Sequence, residues 1–325
     1  MTTATETLVI EPQTQAWLDE LAAQSAGSPP LYELSPKDAR EVLTSVQRSV
    51  AVDQPDADIE DKTIPGGPTG EVEIRIIRPK QAGQTLPIVL HSHGGGWILG
   101  DKNTHERLDR ELANAIGAAI VFVNYTNAPE ARYPVQNEQA YTALEWAVTN
   151  ASDFGADAGR IALLGDSVGG NMTAALTLMA KDRGGPKFAA QVLFYPVTDA
   201  DFDSDTYLRY ADGPWLTRPA MQWFWDAYLP DHEQRSQITA SPLQAAVDEL
   251  RGLPPALVIN GEHDVLRAEG EAYARKLSQA GVRVTQVRYA RTIHDFVLLN
   301  PITKTPAPRA AIAQAASYLR EALKP

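Results

Sequence analysis

The chain has 325 residues, enough to bury one large core or a core with a covering domain. A hydrophobic fraction of 44% and a charged fraction of 22% are those of an ordinary soluble protein, and a net charge of −12 argues against general nucleic-acid binding. The absence of cysteine excludes disulfides, thiolate nucleophiles and cysteine-ligated metals, and no apolar run approaches the roughly eighteen residues that membrane insertion needs.

The first residues, MTTATETLVIEPQTQ, lack the basic start and apolar stretch of a signal peptide, so a cytoplasmic location is expected. Residues 14–26 and 36–50 read as short helices. In the second, Pro36 stands near the start and Ala39, Val42, Leu43 and Val46 form an apolar stripe. VDQPDAD, 52–58, reads as a connector. EVEIRIIRP, 71–79, alternates as a strand ended by Pro79, and LPIVLHSH, 86–93, is the next strand. A helical pattern at 104–117 leads to the strand AAIVFVNY, 118–125, and a helix over 137–150. Ile161 to Leu164 read as a buried strand; beyond it Met172, Ala175, Leu176 and Met179 follow helical spacing. AAQVLFYPV, 189–197, and PALVINGEHD, 255–264, are strands. A helix at 267–280, the strand VRVTQVRYA at 282–290 and a closing helix at 308–323 complete the chain. Strands alternating with helices across 86–323 predict an α/β fold with a mostly parallel sheet. The rhythm breaks between Thr198 and Pro254, where an aromatic and acidic insert interrupts it. No internal repeat is evident. The expected organisation is N-terminal cap helices over 1–55 and a main α/β domain over 56–325, with the 199–250 insert adding to the cap.

In an open α/β sheet, functional groups collect beyond the C-terminal strand ends. There the sequence places His91-Ser92-His93-Gly94-Gly95-Gly96-Trp97, then Gly165-Asp166-Ser167-Val168-Gly169, then Asp199, then Glu262-His263-Asp264, and finally His294-Asp295. A serine between two glycines at a strand-to-helix corner is the pattern of an exposed nucleophile. Such a hydroxyl needs an imidazole to take its proton, and the imidazole needs a carboxylate to hold its tautomer. Ser167, Asp264 and His294 follow in the chain order expected of such a sheet. His263 competes as base, but it adjoins the proposed acid. Asp199 is the rival acid. The backbone N–H of Val168 is a natural donor to a developing oxyanion, and Gly94 and Gly95, without side chains, can supply others. His91 and His93 lie two apart, but no third ligand stands at metal-site spacing, so no metal is expected. His93 reads instead as a local support of the glycine loop, and His105 and His232 as ordinary helix or surface residues. Asp295 fits either a supporting role or the surface. Trp97, Tyr195, Trp215, Trp223 and Phe224 are candidates to line a substrate pocket, with core packing an equal account of the last two.

HGGGW, GDSVGG and HDVLRAEG followed by His294 resemble the hormone-sensitive-lipase-like group of α/β-hydrolases, the bacterial carboxylesterase type, over roughly residues 60–323. The resemblance implies an α/β-hydrolase fold with a helical cap, a triad of Ser167, Asp264 and His294, and an oxyanion hole of Gly94, Gly95 and Val168. It implies a small-molecule ester substrate with a short acyl group, roughly acetyl to hexanoyl, held between sheet and cap, and no cofactor. It also suggests a homodimer through the sheet edge. NYTNAPEARYP, 124–134, resembles the family's strand-exit segment, with a structural role and Glu130 as an ion-pair partner. Three departures stand out: Val168 in place of alanine, YTNAPE in place of a tyrosine-arginine-leucine version, and Asp295 in place of the glycine that usually follows the base. They bear on substrate preference and pH optimum. Other readings are an amidase or lipase of the same fold, and a binding protein on a retired hydrolase scaffold. Such binding proteins typically lose the histidine that this chain keeps.

Overall fold

The apolar runs that read as strands assemble into one eight-stranded sheet in the computed structural model, which describes residues 8–80 and 85–324. The strands are β1 (Ala57–Pro65), β2 (Glu71–Pro79), β3 (Leu86–Ser92), β4 (Ala119–Asn124), β5 (Ala156–Asp166), β6 (Ala190–Phe194), β7 (Ala256–His263) and β8 (Val284–Ile293), in the order β1-β2-β4-β3-β5-β6-β7-β8. β2 runs antiparallel to both β1 and β4; every other pairing is parallel. The sheet is therefore mostly parallel, as expected, and the exits of β3, β5, β6, β7 and β8 share one edge. β3 is buried at every position, as a strand covered by helices on both faces must be.

The first five helices are α1 (Pro12–Gln24), α2 (Pro36–Arg48), α3 (Glu106–Ile116), α4 (Val135–Thr149) and α5 (Val168–Arg183). After them come α6 (Asp205–Arg209), α7 (Arg218–Tyr228), α8 (Val247–Leu250), α9 (Arg267–Gln279) and α10 (Pro306–Ala322). α2 starts where its sequence says it should: Ser35 accepts a hydrogen bond from Asp38 N and Pro36 occupies the first turn.

Two expectations need correction. The segment read as a connector runs into β1, which pairs along its whole length with β2. β1 is an edge strand in which only Ile64 is buried, so it carries almost no hydrophobic signal. β8 continues to Ile293 rather than ending at 290, which delivers His294 directly to the functional edge.

α1, α2 and the insert containing α6 and α7 cover that edge as a helical cap. The Trp17 ring of α1 lies 5.4 Å from that of Trp215 in the insert. Arg40 of α2 donates to the carbonyls of Ile98 and Ala128 and to Glu130, which is thus the ion-pair partner the strand-exit segment suggested. The Arg40–Glu130 pair is half exposed and worth little by itself, but the two carbonyl contacts fix α2 to the loops after β3 and β4.

Candidate active site

β5 ends at Asp166, α5 begins at Val168, and Ser167 forms the corner with φ 54° and ψ −120°. A side chain avoids this backbone region unless its surroundings impose it. Here they do. Ser167 N donates to Phe194 O, and Ser167 O accepts from Val197 N and Asn171 N, at 2.9–3.2 Å. The flanking glycines are demanded by space: a Cβ at Gly165 would lie 2.1 Å from Gly169 O, and one at Gly169 would lie 1.9 Å from Ser92 O.

His294 follows β8, and its Nε2 is 3.0 Å from Ser167 Oγ. Its Nδ1 is 2.7 Å from Asp264 Oδ2, and Leu266 N donates to the other oxygen of that carboxylate. Ser167, Asp264 and His294 are all buried. Burial alone would favour the neutral imidazole, but the Asp264 and Asp295 carboxylates outweigh it and raise His294 to about 9. The rivals stand elsewhere. His263 contacts Val9 O and the Tyr210 hydroxyl. Asp199 accepts from Gln244 and Ala200.

A second histidine constellation lies beneath the glycine loop. His91 sits between Asp109, 2.6 Å from Nδ1, and Asp166, 3.1 Å from Nε2. Asp166 also contacts His105 Nε2 at 3.3 Å and accepts from Gly94 N at 3.1 Å. Burial opposes ionisation of His91, yet Asp109 and Asp166 raise it to about 9. Burial likewise opposes the Asp166 carboxylate, and His105 and His91 hold it far below the usual range. His93 Nδ1 lies 2.7 Å from Gly94 O, with its ring stacked on Tyr125 at 4.1 Å; burial, with His105 beside it, pushes it down to about 3. His105 is therefore not a surface residue: it is wholly buried.

This network corrects the oxyanion assignment. Gly94 donates its N–H inward to Asp166, so it is not available to substrate. Among the described residues, Gly95 N, Gly96 N and Val168 N are donated to no protein acceptor. Asp166, Asp109 and His105 were missed because carboxylates and histidines on predicted helices and strand ends read as solvated. Asp166 alone carried a signal, its place beside the candidate nucleophile.

The aromatic candidates separate. Phe224 lies against the loop so closely that a Cβ at Gly96 would fall 2.2 Å from its ring. Trp215 donates its indole N–H to Asp295 Oδ2 at 2.9 Å, and Trp223, half-buried, packs beside Phe224. Trp97 is fully buried and stacks on Tyr228 at 3.9 Å, so it anchors the loop to α7 and lines no open pocket. Tyr195 is fully buried with its ring 4.8 Å from that of His294, supporting the imidazole from the side. Among the described residues, no group of three metal-ligating side chains is placed to hold an ion, and no helix is long and apolar enough to cross a membrane.

A family described as having the alpha/beta hydrolase fold matches residues 89–298. The chain is 36% identical to the carboxylesterase NlhH of Mycobacterium tuberculosis over 83% of this chain and 84% of that one. It is 33% identical to an ethyl acetate hydrolase of Pseudomonas putida over 90% and 93% of the two chains. The crystal structure of a thermostable esterase from Pseudomonas putida ECU1011 superposes with a TM-score of 0.95 at 47% identity, covering 98% of this chain and 99% of that one.

Proposed function

The chain belongs to the α/β-hydrolase family, in its hormone-sensitive-lipase-like group of carboxylic ester hydrolases, and we propose that its ester hydrolysis runs through Ser167, His294 and Asp264. The observation that carries the assignment is the single imidazole lying 3.0 Å from Ser167 Oγ and 2.7 Å from Asp264 Oδ2. Ser167 Oγ attacks the ester carbonyl while His294 Nε2 takes its proton, and Asp264 holds the tautomer and stabilises the imidazolium. The undonated N–H groups of Gly95, Gly96 and Val168 receive the oxyanion, where a preorganised donor is worth roughly 3 kcal/mol. His294 then protonates the leaving alcohol, the acyl group stays on Ser167, and a water activated by the same imidazole releases it.

Short acyl chains are the proposed substrates. Phe224 packed on Gly96 takes up space beside one of the proposed oxyanion donors, and a similar Pseudomonas putida protein is an ethyl acetate hydrolase, named for an ester with a two-carbon acyl group. p-Nitrophenyl esters from acetate to palmitate test this. Turnover should peak at the short end and fall by about 10⁴-fold or more in Ser167→Ala. An unchanged rate in that variant removes the triad, and a peak at palmitate removes the chain-length reading.

A further inference from the structure

Position 295 carries a residue that its backbone does not ask for. Its φ is +60°, where glycine is free and a side chain is disfavoured, yet the chain places an aspartate there. Aspartate tolerates this region better than most residues, so the backbone cost is small. Burying the carboxylate is the larger cost: its side chain is only 14% exposed.

The carboxylate has two distinct ends. Oδ2 accepts the Trp215 indole N–H at 2.9 Å. Oδ1 is buried without a hydrogen-bond partner among the described residues and lies 3.4 Å from His294 Nε2. That nitrogen is the one facing Ser167. Trp215 in turn packs on Trp17, so both parts of the cap, the N-terminal helix and the insert, converge on this one carboxylate.

We propose that Asp295 is a positioning residue for His294, which favours the imidazolium from its Nε2 side and couples that role to the seating of the cap through Trp215. This rests on His294 being the base. When Ser167 gives up its proton, the imidazolium lies between Asp264 at one nitrogen and Asp295 at the other. The same attraction resists release of the Nε2 proton to the leaving alcohol. Asp295 thereby strengthens the base and weakens the acid. The other groups around the ring are Asp166 at the exit of β5, Asp264 at the exit of β7, and the neutral Tyr195 at the exit of β6. Burial raises the affinity of Asp295 for its own proton, while His294 and the Trp215 N–H oppose that rise.

The test is the acid limb of the kcat/KM profile, which reports the base in the free enzyme. Asp295→Asn removes the charge at nearly constant shape, and Asp295→Gly suits φ +60°, so at least one variant folds. Both should move the limb to lower pH by about one unit, a tenfold loss in the proton affinity of His294. Trp215→Phe, which releases Oδ2, should move it the same way by less. A limb unmoved in both Asp295 variants, whatever happens to Tm, overturns the role of Asp295. A limb moved by them but not by Trp215→Phe overturns the coupling to the cap. His294→Gln separates this inference from the triad: activity retained there overturns the triad itself, whereas a dead His294→Gln with an unmoved Asp295 limb overturns only the present inference.

Discussion

Two imidazoles in this protein have nearly the same surroundings. His294 lies between Asp264 and Asp295, with the edge of an aromatic ring, Tyr195, against it; His91 lies between Asp109 and Asp166, with Phe122 in the same edge-on relation at 5.5 Å. Both are buried, and both are raised to about 9 by their carboxylates. The difference that matters lies at Nε2. His294 Nε2 also reaches a serine hydroxyl on a strained corner, whereas both nitrogens of His91 end on carboxylates and its Asp166 holds Gly94 of the glycine loop. A histidine bracketed by carboxylates is therefore not in itself a catalytic group. In the proposed mechanism access to the Ser167 hydroxyl decides the role, and without it the same bracket becomes a clamp.

The sharpest way to break this comparison is to damage each bracket in turn. Asp264→Asn should lower kcat by about 10³- to 10⁴-fold, a larger effect than its loss of stability, because it removes the anion that holds the His294 tautomer. A loss below tenfold would leave His294 indistinguishable from His91.

His91→Gln should do the reverse. Breaking a buried ion pair costs about 3 kcal/mol or more, read as a lower urea midpoint, with a smaller effect on turnover. The pH dependence has a definite sign. The folded pKa of His91, about 9, lies above the unfolded value of 6.5, so its stabilisation is fully present below 6.5 and is lost as pH rises through about 9. The stability gap between wild type and His91→Gln should accordingly narrow from pH 6 to pH 9.5. A gap that does not narrow over this range would show that His91 is neutral in the folded protein.

The smallest effect belongs to the ring beside the base. The Tyr195 hydroxyl is buried with no hydrogen-bond partner among the described residues, so Tyr195→Phe should cost under about 1 kcal/mol of stability and change kcat less than threefold. It would also make the two brackets aromatic equals. A large loss of activity would give the hydroxyl a role in the chemistry that His91 and Phe122 lack.

The amino-acid sequence determined the alternation of buried strands and helices, because apolar periodicity survives any tertiary arrangement. It determined the elbow too, since the two glycines flanking Ser167 are the only residues that fit against Gly169 O and Ser92 O. The chain order of Ser167, Asp264 and His294 was equally legible, since each follows the end of a recognisable strand. β1 was not, because a half-exposed edge strand pairs through its backbone and leaves no apolar pattern. Only the tertiary structure decided which N–H of the glycine loop is taken up within the protein, for the direction of the Gly94 N–H is set by Asp166, 72 residues away in the chain. It alone decided that His105 and Asp109 are buried, and that Asp295 turns toward His294 rather than toward solvent. The physical reason is common to all of these. Periodicity and spacing report local backbone preference, whereas the charge, hydrogen bonding and role of a polar side chain depend on groups that folding brings beside it from distant parts of the chain.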